Sequence, residues 1–107
     1  MKILLDESLD VHLRHELVGH DAYTVAFMRW KGLKNGALLA RAAAEGFEAL
    51  ITTDQNIEHQ QNVAALPCAV FVLIAASDEL DDLKPLVPGL LRALSQVRSK
   101  KIVHVHP

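Results

Sequence analysis

Several common ways of stabilising or equipping a small protein are missing from this chain. One cysteine, Cys68, stands among 107 residues, so no intramolecular disulfide framework and no four-cysteine zinc site can form. No apolar run reaches the ~18–20 residues of a membrane span. No glycine-rich phosphate loop and no serine in a nucleophile elbow is present, which disfavours P-loop hydrolases and dinucleotide oxidoreductases. Charge of one sign is scarce too: the formal net charge is −2. Bulk charge therefore cannot drive nucleic-acid binding, which neutralises many phosphates; a local basic patch or a metal ion would be needed. The opening Met1-Lys2-Ile3-Leu4-Leu5-Asp6 meets a carboxylate after three apolar residues, unlike a secretory leader. With the lone cysteine and no membrane span, this leads us to expect a cytoplasmic protein.

Half of the residues are hydrophobic and 22% are charged, the balance of a folded domain rather than a disordered chain. The length suits a single domain spanning residues 1–107, with no repeat, low-complexity tract or linker. Short apolar runs alternate with helical patterns. Ile3-Leu4-Leu5 reads as a strand. Ser8 can cap a helix carrying Asp10 in its first turn, with Leu9, Leu13 and Leu17 as its stripe and Gly19 at its end. Tyr23–Ala26 reads as a second strand and 27–34 as a loop. Asn35 can cap a helix whose apolar face is Leu38, Leu39, Ala42 and Ala43, and Gly46 ends it.

A third strand, Ala49–Thr53, precedes a short helix over Asn56–Val63. Ala69–Ile74 reads as a strand buried on both faces. A polar segment, Ser77–Lys84, leads to a helix that begins near Pro85 or Pro88 and buries Leu90, Leu91, Leu94 and Val97. Ile102–His106 alternates as an edge strand should. This order predicts a three-layer α/β fold around a mostly parallel sheet of about five strands.

In such sheets ligands bind beyond the carboxyl ends of the strands. Asp6 follows the first strand and Asp54 the third. Carboxylates there suit a hard cation such as Mg²⁺. Neighbouring strands lie ~4.8 Å apart, so a shared ion requires these two strands to be adjacent. The alternative is that each aspartate caps a turn or the next helix. Glu7 is either a third carboxylate or a residue favoured by a helix N-terminus. Of Thr52 and Thr53, strand alternation turns only one inward, where its hydroxyl can orient Asp54 or a water.

Four stretches carry a family resemblance. They are Lys2-Ile3-Leu4-Leu5-Asp6-Glu7-Ser8-Leu9; Gly19-His20-Asp21 with Thr24-Val25; Trp30-Lys31-Gly32-Leu33-Lys34-Asn35-Gly36 with Leu38-Leu39 and Ala42-Ala43; and Leu50-Ile51-Thr52-Thr53-Asp54-Gln55-Asn56. Together, over roughly residues 2–57, the chain resembles the small bacterial PIN-like proteins, a family regarded as nucleases. The resemblance implies a PIN-type sheet with acidic residues at its C-terminal edge. It further implies a ribonuclease dependent on Mg²⁺ or Mn²⁺, in many bacterial cases the toxin of a toxin–antitoxin pair. Position by position, Asp6 and Asp54 match acids of the family, and Asn35 and Asn56 fall where relatives carry acidic or polar residues. That match implies Asp6, Asp54, Asn35 and Asn56 as the metal set; with Glu7 as the third carboxylate, we expect Asp6, Asp54 and Glu7 as the catalytic set. The two amides bring no charge, so a weakened module that binds RNA or a protein without cleaving it is the alternative.

For substrate, Arg29, Lys31 and Lys34 bracket Trp30, a pattern suited to single-stranded RNA with a base on the ring. The other reading packs Trp30 on a helix and leaves the cations solvated. Gln55, His59 and Gln60 can bond nucleotide groups or form the polar face of a short helix. Two spacings among the six histidines, His12/His15 and His104/His106, are open to zinc or to solvent. Cys68 reads as a small core residue. The acidic run Asp78, Glu79, Asp81, Asp82 reads as a solvated helix start, with a basic partner as the other option. The last strand leaves an edge for a homodimer or antitoxin contact. Finally, Asp6-Glu7 with Asp54 is similar to the layout of receiver-like regulatory domains, in which Asp54 would accept a phosphoryl group. Such a domain needs a lysine after a later strand, and Lys84 stands among prolines well past Ile74.

Overall fold

Five strands make one sheet: β1 (Lys2–Leu5), β2 (Asp21–Thr24), β3 (Ala49–Thr52), β4 (Ala69–Leu73) and β5 (Ile102–Val105). Their order is β2-β1-β3-β4-β5 and every pairing is parallel. This computed structural model describes residues 1–62, 65–96 and 100–107.

Side-chain alternation builds the layers. Leu4, Leu50, Val70 and Val72 face one way; Ile3, Leu5, Ile51, Phe71 and Leu73 face the other. Both sides are covered, so the inner strands are apolar throughout. Helices α1 (Val25–Met28), α2 (Asn35–Ala44) and α3 (Ile57–Gln60) cover the first face through Val25, Leu38, Leu39, Ala42 and Ile57. A 3-10 segment at Val11–Glu16, with α4 (Leu80–Leu83) and α5 (Val87–Gln96), covers the second through Leu13, Leu83, Leu90 and Leu94. Burying a leucine of this kind stabilises the fold by about 1.5–3 kcal/mol. The three-layer α/β expectation therefore holds at that level. Among the described residues no helix is long and apolar enough to cross a membrane.

The crossovers explain where the connections meet. The β1–β2 link steps one strand across the second face, and the β4–β5 link crosses that same face in the opposite direction. These two crossovers must therefore have opposite hands. The β2–β3 and β3–β4 links run over the first face and share the hand of β1–β2, so β4–β5 is the departure from the right-handed rule. Its consequence is local: the segment leaving β4 lies beside the segment leaving β1, and Asp10 N donates to the Asp78 carbonyl at 3.0 Å.

Several boundaries differ from the sequence expectation. Asp10, not Ser8, caps the first turn, its Oδ1 accepting from His12 N at 2.9 Å. The second strand lies two residues earlier than Tyr23–Ala26, because the Thr24 hydroxyl accepts from Phe27 N at 3.0 Å and starts a helix at Val25. Lys34 takes the cap position of α2, and Asn35 is inside the helix with its side chain turned elsewhere. The short helix covers Ile57–Gln60 only; Val63 lies outside the described residues, as does Val97. The helix after the polar segment is split into α4, a 3-10 turn at Lys84–Leu86 and α5. Gly19 and Gly46 take φ of +86° and +83° at the ends expected of them.

Candidate functional site

The order β2-β1-β3-β4-β5 is a doubly wound arrangement whose switch point lies between β1 and β3. The chain leaves β1 over the second face and β3 over the first, so a crevice opens between them at the carboxyl edge. Asp6 and Asp54 flank it. Their strands are neighbours, with Leu5 paired to Ile51, as a shared ion requires.

Thr52 ties the two together. Fully buried at the end of β3, its hydroxyl donates to Asp6 Oδ2 at 2.7 Å and accepts from Asp54 N at 3.0 Å. Alternation thus sends Thr52 inward with Asp6. Thr53 turns to the second face, where its hydroxyl donates to Asp78 Oδ1. Asp6 Oδ1 accepts from Glu7 N at 2.8 Å. Asp54 Oδ1 accepts from Asn56 N, and Asp54 Oδ2 accepts from Asn35 Nδ2, both at 3.0 Å. Each aspartate is half-buried and held in place by neutral donors. Among the described residues neither carboxylate is paired with a lysine, arginine or histidine. Every carboxylate oxygen keeps lone-pair capacity beyond the single donor it accepts from.

This donor set suits a hard divalent cation: anionic oxygens, oriented by hydrogen bonds, with no competing basic group. It is also incomplete. Among the described residues no group of three or more histidine, cysteine, aspartate or glutamate side chains is arranged to hold a metal ion. Of the expected metal set, Asp6, Asp54 and Asn35 converge. Asn35 offers its amide nitrogen to Asp54 and to Gln60 Oε1 at 3.2 Å, leaving only its oxygen for an ion. Asn56 is exposed and serves through its backbone N–H. Glu7 is exposed and accepts from Gly32 N at 3.1 Å, which pins the 29–34 loop beside Asp6.

The expected substrate residues divide. Arg29, Lys31, Lys34, Gln55 and His59 are exposed. Trp30 is not available for stacking: at 7% exposure its ring packs edge-on to Phe47, with the Arg41 guanidinium 5.5 Å from its centroid. Phe27 is the exposed aromatic of this region, at 64%. The residue missed from the sequence is Asp78. It belongs to the acidic run read as solvated, yet it is half-buried and bonded to Thr53. Its place shortly after β4, parallel to Asp6 after β1, was the available signal. Glu79 and Asp81 do sit exposed at the α4 start.

Elsewhere, His104 Nε2 pairs with Glu58 Oε1 at 3.2 Å. Cys68 is buried, and desolvation pushes its thiol up to about 11 despite a nearby Lys100. No family model, curated protein or solved structure matches the chain.

Proposed function

We propose that this protein is a divalent-metal-dependent ribonuclease of PIN-like type, working at the crevice between β1 and β3. One observation carries the reading: two carboxylates far apart in sequence flank the switch point, joined by a buried threonine and uncompensated by any cation among the described residues. Asp6 and Asp54 would hold Mg²⁺ or Mn²⁺. Thr52 orients both, and Asn35 Nδ2 with Asn56 N fixes the rotamer of Asp54. A bound ion would polarise a phosphodiester oxygen and activate water. Glu7, exposed next to Asp6 in the chain, would take the proton from that water. Arg29, Lys31 and Lys34 would bind backbone phosphates. On the same resemblance, the role is that of a toxin, with an antitoxin or a second copy pairing along the open β5 edge.

A second reading is a PIN-like module that binds RNA or a protein without cutting. It is favoured by the Asn35 amide, which brings no charge and turns its N–H donor toward Asp54. The receiver-like reading gains nothing comparable, since Lys84 is exposed in the 3-10 turn after α4.

Calorimetric titration with Mn²⁺, run beside an RNA-cleavage assay, tests the proposal. Wild type should bind one ion and cut RNA; Asp54→Asn should do neither. Binding without cutting selects the second reading. No heat at millimolar Mn²⁺ contradicts the first.

A further inference from the structure

A groove of about 420 Å³ lies beside β2, between the 3-10 segment and α1. The 3-10 segment contributes Val11, His12, Arg14 and His15; the β2–α1 turn contributes Thr24 and Phe27. Among the described residues no carboxylate lines it. Because Thr24 pairs with Leu5, the groove opens at the level of Asp6, one strand away from the crevice. Two large apolar side chains stand exposed in it, Phe27 at 64% and Val11 at 50%. Tyr23 backs the Phe27 ring at 5.6 Å, which limits its motion without covering it. Opposite, the tight pitch of a 3-10 turn brings positions three apart onto one side. His12 and His15 accordingly stack at 6.1 Å between centroids, with Arg14 next to them.

We propose that this groove binds one unpaired nucleotide of a single-stranded RNA, its base stacked on Phe27 and its phosphate held by Arg14. An apolar ring with a permanent cation beside it matches the two halves of a nucleotide, a flat base and an anion. A duplex keeps its bases stacked internally and offers no free face to Phe27. Trp30, the aromatic first expected to stack, is buried in the core, so Phe27, three residues earlier in α1, takes that role. The inference rests on the ribonuclease reading for its choice of polymer. It adds a strand preference and a second contact point beyond the acidic crevice.

Fluorescence anisotropy in EDTA, with a labelled mixed-sequence 12-nucleotide RNA and the same strand in a duplex, tests it. The single strand should bind at least about tenfold more tightly than the duplex. Phe27→Ala and Arg14→Glu should each weaken it about tenfold, and Phe27→Tyr should restore the loss. Both positions are exposed, so the variants should fold, and Mn²⁺ titration of each should match wild type. Equal affinity for duplex, or unchanged affinity in both variants, overturns the proposal. So does sedimentation showing that Phe27→Ala dissolves a dimer, because the groove would then be an interface between copies. Failure of the ribonuclease reading looks different: Asp54→Asn would leave Mn²⁺ binding intact while the Phe27 and Arg14 effects on RNA remained.

Discussion

The two ends of the sheet treat charge in opposite ways. At the amino end, Lys2 Nζ donates to the Glu45 carbonyl at 2.7 Å and lies 4.5 Å from the Phe47 centroid. Lys2 N donates to Glu48 Oε2 at 3.0 Å. Charge there is consumed in holding the chain together. At the carboxyl end, the donors to the Asp6 and Asp54 carboxylates among the described residues are all neutral. Thr52 links the two, and among the described residues neither has a cationic partner. Both carboxylates also hold the backbone after their strands, Asp6 Oδ1 accepting from Glu7 N and Asp54 Oδ1 from Asn56 N. The contrast is between a lysine bonded into the chain at one end and two carboxylates without a cationic partner among the described residues at the other.

Substitutions at the two ends should therefore diverge, and the largest difference lies at the carboxyl end. Asp54→Asn should lower RNA cleavage by roughly 10²-fold or more and abolish Mn²⁺ heat, while raising thermal stability or leaving it unchanged. A stability loss of several kcal/mol would show instead that Asp54 is a structural acid. Thr52→Val should cost about 1–3 kcal/mol by denaturant titration, since it strands the Asp54 N–H and removes a donor from Asp6. The same variant should weaken Mn²⁺ binding. Asn35→Asp should raise Mn²⁺ affinity about tenfold by adding an anionic oxygen. It should lower stability without metal, because a donor to Asp54 becomes a like charge. At the amino end, Lys2→Met should cost under about 1 kcal/mol and leave Mn²⁺ binding untouched.

Cys68 supplies a pH test away from both ends. Its thiol is 9.0 when free and about 11 in the folded protein, raised by burial. Below pH 9 both states are protonated and the shift contributes nothing. As pH rises from 9.0 through about 11 the unfolded thiol ionises first, so stability should fall across that window. Cys68→Ala should remove that part of the decline in pH-dependent denaturant curves.

The core was readable because its signal is periodic. Leu4 against Ile3 and Leu5, and Leu50 against Ile51, needed only the two-residue alternation of a strand. Asp6 and Asp54 were readable because each ends such a run. Trp30 and Phe27 were not, since which of two nearby aromatics turns inward depends on the helix that Thr24 nucleates, and that capping bond competes with a plausible strand. Asp78 was hidden for another reason. Its neighbours Glu79, Asp81 and Asp82 make an ordinary helix start, and only the unusual path from β4 to β5 brings Asp78 to Thr53. Asn35 was read both as a helix cap and as a support of the acidic pair; Lys34 takes the cap position, and the Asn35 amide donates to Asp54.

Anomalous diffraction from a crystal soaked in Mn²⁺ tests the central claim most directly. The account predicts one strong peak between β1 and β3, within about 2.1–2.3 Å of an oxygen of Asp6 and of Asp54 or bridged to one of them by water. A crystal with full Mn²⁺ exposure and no peak there, or with its peak held by other side chains, would contradict it.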